Sequence, residues 1–415
     1  MEPGRTGGRA PRSTSTALEA PAPGTAALLR PFLGLRYRED VVGPLDAVVA
    51  PPHTEIDRAE REQALAASPY LVTHLERPEY AGADVSGAPA VVQWLRRGAL
   101  VQDPPALYVL QQVHGGRTHR FLVGELHVGT GTDDRVFPHE ATIEDAVVSR
   151  AARLEAVGVD SEPVLLVDAG AVPGADPRHV GDVLAGAAGD PGRLGDHVAH
   201  ADGPRGPIDV WRLEEPEVVA ILCAAVGARR WIIGDGHHRW VAVRRTAARS
   251  QRSGAVLAAL HLPGPAPLDV LALHRLAPRW AVLQLLTAPG TVRSPARPVE
   301  QVDELLASLH EPDALVLDGA TVVVLRTPGA VANAVGTAAW VDEVLARAGV
   351  PEPEVRYESD TLRAVAAATQ GMAAVLLPGP RWQDITAIIT SGRLMGRKAT
   401  SYRPKPIAGA VLRLR

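Results

Sequence analysis

The stretch "ALYVLQQVHGGRTHRFLVGELHV", residues 106–128, leaves this chain few folds to choose from. Two runs of alternating apolar and polar residues meet at Gly115-Gly116. Such a pair between alternating runs signals a two-residue hairpin, because the favoured turns need positive φ, which glycine adopts freely. A long antiparallel hairpin, followed by helices and strands in mixed order, does not build a doubly wound parallel sheet. The expected class is α+β, with mixed sheets, hairpins and packed helices.

The rest of the chain fits that class. Residues 29–56 predict a strand, a turn and a second strand ending at Pro51-Pro52, and residues 57–67 predict a helix. "SPYLVTHLER" reads as a strand. Helices are expected after "FPHEAT", near 178–188, from about Pro216, over 298–310 and in "GTAAWVDEVLARAGV". Strands are expected at 164–168, 321–326 and in "AVLAALHLP" and "DVLALHRLAPR". Trp94, Trp231, Trp240 and Trp280 sit at core spacing and read as packing residues. There is no repeat, and no linker divides residues 29–415, which are expected to form one composite unit. Residues 1–28 are rich in Gly, Pro, Ser, Thr and Ala. Such a stretch buries too little apolar surface to offset its ordering entropy, so a disordered tail is expected.

Composition excludes several classes. The formal net charge is −4, whereas dedicated nucleic-acid binders carry basic patches, so no nucleic-acid partner is expected. No apolar run reaches the roughly 18 residues a membrane helix needs, and the start of the chain lacks the apolar region of a signal peptide. A cytoplasmic protein is expected. Cys223 is the single cysteine. It permits no internal disulfide and reads as a small hydrophobe.

The densest polar motif is "GDGHHRW", residues 234–240. It follows an apolar run and opens a helical pattern. Arg239 breaks the G-x-G-x-x-G fingerprint, and the chain has no G-x-x-x-x-G-K-[ST], G-x-S-x-G or H-E-x-x-H. Neighbouring helical residues lie about 100° apart around the axis, so His237 and His238 splay and suit one metal ion poorly. With Asp235 as N-cap, the free N–H groups of the first turn, Gly236 and the basic side chains make an anion site. A capped helix start with exposed histidines explains the same residues without chemistry. "RVFPHEAT" sets His139 and Glu140 between a strand and a helix, where Glu140 is either a general base or a helix-starting acid. "MGRKATSYRPKPIAG" carries Arg397, Lys398, Arg403 and Lys405, either as a second phosphate clamp or as a solvated loop.

"RPFLGLRY", "DAVVAPP", "FPHEAT", "GDGHHRW", "HRL" and "RKATSYRPKPIAGAV" follow one another in the order seen in the DUF1015 family, which this chain resembles over nearly all of 29–415. The resemblance implies a ParB/sulfiredoxin-like core, about residues 120–280, similar to archaeal free-serine kinases. It also implies a nucleotide (ATP, ADP or another) and Mg²⁺ as cofactors, and an amino acid such as serine as hydroxyl acceptor. Gly236, His237, His238 and Arg239 would then bind the nucleotide phosphates with Lys398 and Lys405. Asp235 would assist the metal, and Glu140, Asp235 and His238 would be catalytic. His53, His139 and Arg275 would face the substrate. His53-Thr54 and Leu273 depart from the family pattern, which has Tyr-Asp and Thr at those places. A ParB-like nucleotide-binding module and a phosphate-handling hydrolase are the alternatives.

Overall fold

The computed structural model describes residues 27–415, apart from 53–54, 56–57, 77–87, 130–134, 204–205, 251–253, 265, 330, 332, 352–353, 392–393 and 397. The fold is α+β and mixed, built on two main sheets. His53, Arg397 and residues 1–26 of the expected tail lie outside the described residues. Leu28, the last residue of that tail, is buried, and its carbonyl accepts the N–H of His127.

The hairpin forms as the alternation predicts. Strands Leu100–His114 and Arg117–Val128 pair antiparallel across a turn in which Gly115 and Gly116 take φ of 57° and 72°. This pair is the centre of a twelve-stranded sheet. On one side Arg117–Val128 pairs with Gly254–His261, then Val164–Ala171, then Arg229–Asp235. On the other side Leu100–His114 pairs with Phe32–Tyr37, which pairs with the C-terminal strand Leu412–Leu414. Two pairings, Gly254–His261 with Val164–Ala171 and Arg229–Asp235 with Val136–Phe137, are parallel.

The central strands are covered on both faces. Leu257 and Ala259 belong to one apolar cluster, while Val256, Ala258 and Leu260 belong to the other. That two-sided burial explains why "AVLAALHLP" is a nearly continuous apolar run. A second sheet of seven strands, including His274–Ala277, Ala314–Asp318, Thr321–Arg326 and Ala373–Leu376, has its own two apolar clusters. The chain then returns to the large sheet, where Arg413 ties Leu412–Leu414 down by bonding Asp160 Oδ2 and Glu125 Oε2, each at 2.7 Å.

Some local expectations fail. After Phe32–Tyr37 the chain makes short helical turns at Glu39–Val42 and Leu45–Ala47 instead of a second strand. Part of "SPYLVTHLER" is the helix Thr73–Glu76, whose Leu75 is buried in the core. Trp94, Trp231 and Trp240 are buried as expected, but Trp280 is half exposed. Burial pushes the pKa of the Cys223 thiol up to about 11, which suits packing rather than nucleophilic work. Among the described residues, no helix is long and apolar enough to cross a membrane.

Candidate functional site

The strand Arg229–Asp235 delivers Asp235 to the edge of a cavity of about 140 Å³ that is open to solvent. Three stretches contribute to its lining: the turn Gly234 to His238, the residues Tyr357 to Ser359 from the smaller sheet, and the segment from Lys398 to Lys405. Glu140 and Leu273 complete the wall. The two-stranded ribbon of Asp269–Leu271 with Ser401–Arg403 holds part of that last segment.

The turn into the helix His237–Ser250 differs from the expected cap. Gly236, not Asp235, occupies the cap position, because its carbonyl accepts the first intrahelical bond, from Trp240 N–H at 3.0 Å. Gly236 has φ +93°, and a Cβ there would stand 3.1 Å from both Arg239 Nη2 and Val164 Cγ2. Glycine alone meets both demands without strain. Asp235 instead receives Lys405 Nζ on Oδ1 at 2.7 Å and Arg239 Nη2 on Oδ2 at 2.9 Å. Burial opposes its ionisation, but Lys405 and Arg239 overcome this and hold the carboxyl well below the usual range. Lys405 is held charged against its own burial by the same carboxylate.

Arg239 does not line the cavity. It is buried, and Nη1 donates to the carbonyls of Glu162 and Pro163, with Glu162 Oε2 3.3 Å away. The expected phosphate contact is corrected for a physical reason: a buried guanidinium needs partners for its donors, and here the protein supplies them. Arg275 is corrected likewise. It is fully buried, clamps Asp342 with two bonds of 2.9 and 2.7 Å, and donates to the Leu273 carbonyl. Its guanidinium lies 5.2 Å from the centre of the Tyr357 ring, so it supports the cavity wall from behind. His139 is also behind the wall. It is fully buried, with Nε2 2.8 Å from Thr400 Oγ1 and Nδ1 3.2 Å from His237 Nε2. Burial holds both rings below the usual histidine range.

The remaining expected residues meet. Glu140, Asp235, Gly236, His237, His238, Lys398 and Lys405 all line the cavity. Glu140 accepts from the backbone N–H of Lys398 at 3.3 Å and of Thr400 at 3.4 Å, which binds the C-terminal segment to the loop before the helix Glu144–Val157. His238 Nε2 accepts from Ile143 N–H at 3.2 Å, and burial, followed by Lys398, lowers its affinity for a proton. Lys398 has φ +52°, the one positive φ outside glycine among the described residues. Such backbone strain persists only where the surroundings fix it. Lys398 lines the same cavity as the helix start, and its charge opposes protonation of His237 and His238 and helps keep Asp235 ionised.

Residues that stand out in no sequence motif share the wall: Tyr357, Glu358 and Ser359. Glu55 pairs with Arg403, whose Nη2 donates to Ser359 Oγ at 2.8 Å. Topology alone brings Tyr357, Glu358 and Ser359 to the cavity, so no local signal could have found them.

Residues 29–288 match the family model described as "Protein of unknown function (DUF1015)". The chain belongs to the DUF1015 family. Among solved structures it is similar to a free serine kinase mutant in complex with ADP, at 13% identity and a TM-score of 0.40, covering 68% of this chain and 87% of that one. A conserved hypothetical protein from Pyrococcus furiosus is similar at 13% identity and a TM-score of 0.38, over 68% and 90% of the two chains. SbnI from Staphylococcus aureus, truncated at its C-terminus, is similar at 12% identity and a TM-score of 0.38, over 68% and 82%. No curated protein matches this DUF1015 chain in sequence.

Proposed function

We propose that this DUF1015 protein is a nucleotide-dependent kinase that phosphorylates the hydroxyl of a small molecule, a hydroxy amino acid such as serine. One observation carries the reading. Lys398 has no acidic side-chain partner among the described residues and stands near the start of a helix of 14 residues, in one cavity with Lys405 and Glu140. A lone ammonium beside a helix N-terminus is matched to a phosphate group.

In this reading Lys398, Lys405 and the backbone from Gly236 to His238 hold the nucleotide phosphates. Such fixed charges stabilise the transferring phosphoryl group. Glu140, on the cavity wall, orients the acceptor hydroxyl or takes its proton. Asp235 does not suit Mg²⁺, because its two oxygens face Lys405 and Arg239. Glu358 lines the cavity without a basic side-chain partner among the described residues. It is the carboxylate left to hold Mg²⁺, with phosphate oxygens and water filling the rest of the shell. The ion would neutralise charge on the phosphates.

The test is to incubate the purified protein with ATP, ADP or CTP, Mg²⁺ and a panel of amino acids, and to seek a phosphorylated product by mass spectrometry. A phospho-amino acid is expected. Phosphate release without any acceptor would make the protein a hydrolase, and no turnover of any nucleotide would remove the kinase reading.

A further inference from the structure

Away from this cavity, two histidines and a carboxylate converge on the hairpin of Asp196–Gly203 with Gly206–Leu213. His197 Nε2 is 2.9 Å and His200 Nδ1 2.8 Å from Asp209 Oδ1. One ligand atom from each of the three lies within 4.8 Å of the others. We propose that His197, His200 and Asp209 bind a divalent transition-metal ion of the zinc type.

The strand pairing shows how the site is built. Residues three apart on a regular strand point to opposite faces. Here His197 pairs with Trp211 while Ala199 pairs with Val210, so one extra residue bulges between them. The bulge reverses the alternation and places His200 directly opposite Asp209, on the same face as His197. Bulges that re-aim a side chain in this way are common beside functional sites.

The groups behind these three fit a metal as well. His200 Nε2, the nitrogen turned away from Asp209, lies 3.4 Å from Asp202 Oδ2. Metal-bound histidines characteristically give their second N–H to a carboxylate, a carbonyl or water. Asp209 Oδ2 accepts from Gln111 Nε2 at 2.8 Å. Gln111 is itself fixed, because its Oε1 accepts from Arg120 Nε at 2.8 Å. Thus Oδ2 is anchored and Oδ1 is the oxygen left for an ion. Both imidazoles are about half exposed, so an ion can enter. Metal–ligand bonds of about 2.0–2.2 Å in a tetrahedron put ligand atoms roughly 3.3 Å apart. The imidazole nitrogens need to move off Asp209 Oδ1 by about half an ångström and to come within that spacing of each other, from a present separation of no more than 4.8 Å. Two nitrogens and one oxygen leave the fourth position for water.

The full chain, stripped with a chelator, is titrated with Co²⁺ by visible absorption and with Zn²⁺ by calorimetry. One equivalent per chain is expected, with the absorption bands of a low-coordinate cobalt site. His200→Ala and Asp209→Ala should each weaken binding by roughly 100-fold, and Asp202→Asn by roughly 10-fold. Circular dichroism and thermal unfolding of each variant separate loss of ligands from loss of fold. Absence of stoichiometric binding, or binding retained in a folded His197→Ala/His200→Ala variant, would overturn the site. Neither readout depends on kinase activity.

Discussion

Two basic regions border the same cavity and end differently. At the turn into the helix His237–Ser250, Arg239 is enclosed by two carbonyls and two carboxylates and does not line the open space. On the facing segment, Lys398 lines the cavity with no acidic side-chain partner among the described residues. In sequence both regions read as phosphate sites or as plain structure, the first as a capped helix start and the second as a solvated loop. A dense polar motif can thus satisfy its own arginine while other residues of the same motif still line the cavity. A buried arginine needs partners, and "GDGHHRW" carries one of them, Asp235, four residues before its arginine.

Removing Arg239 should have the largest effect. Arg239→Ala leaves Asp235 and Glu162 short of a cationic partner and two carbonyls without its donor. It should cost about 3–5 kcal/mol of stability, read as a lowered urea midpoint. A variant as stable as the parent would mean that the guanidinium is free to bind a ligand, and the contrast between the two regions would collapse.

A smaller effect probes the self-satisfied side through pH. His139 and His237 face each other in the buried region, and burial depresses both below the ordinary value of 6.5. The unfolded chain therefore takes up protons first. Stability is complete above about pH 6.5 and falls as the pH drops below it, by up to about 2.7 kcal/mol per unit for the two groups together. Urea titrations at descending pH should show this slope, and a His237→Gln variant should lose part of it. An unchanged slope in that variant would place the acid sensitivity elsewhere.

Much of the fold is legible because local chemistry dictates it. Gly115-Gly116 permits one kind of turn, and the alternation around it sets the hairpin register. The helix at Thr73–Glu76 is not legible, because "YLVTHL" is a short apolar run whose type is decided by packing. Of the site, the groups in motifs are legible as a set: Glu140, Asp235, Gly236, His237, His238, Lys398 and Lys405 share one cavity. Which of them faces a ligand is not legible. The motif predicts Asp235 as helix cap and the family resemblance makes it a metal aid, yet the return of the C-terminal segment brings Lys405 to it. Tyr357 and Glu358 cannot be found in sequence at all, since a separate sheet carries them to the wall.

If phosphate is held by the lysine side of the cavity, Lys398 is the residue to remove. ATP–Mg²⁺ is titrated against the parent and against Lys398→Ala, with urea unfolding of both. Nucleotide affinity should fall by roughly ten-fold or more, the worth of a charge-assisted contact, while stability stays within about 0.5 kcal/mol of the parent. Undiminished nucleotide affinity in the folded Lys398→Ala variant would contradict the lysine-side phosphate site.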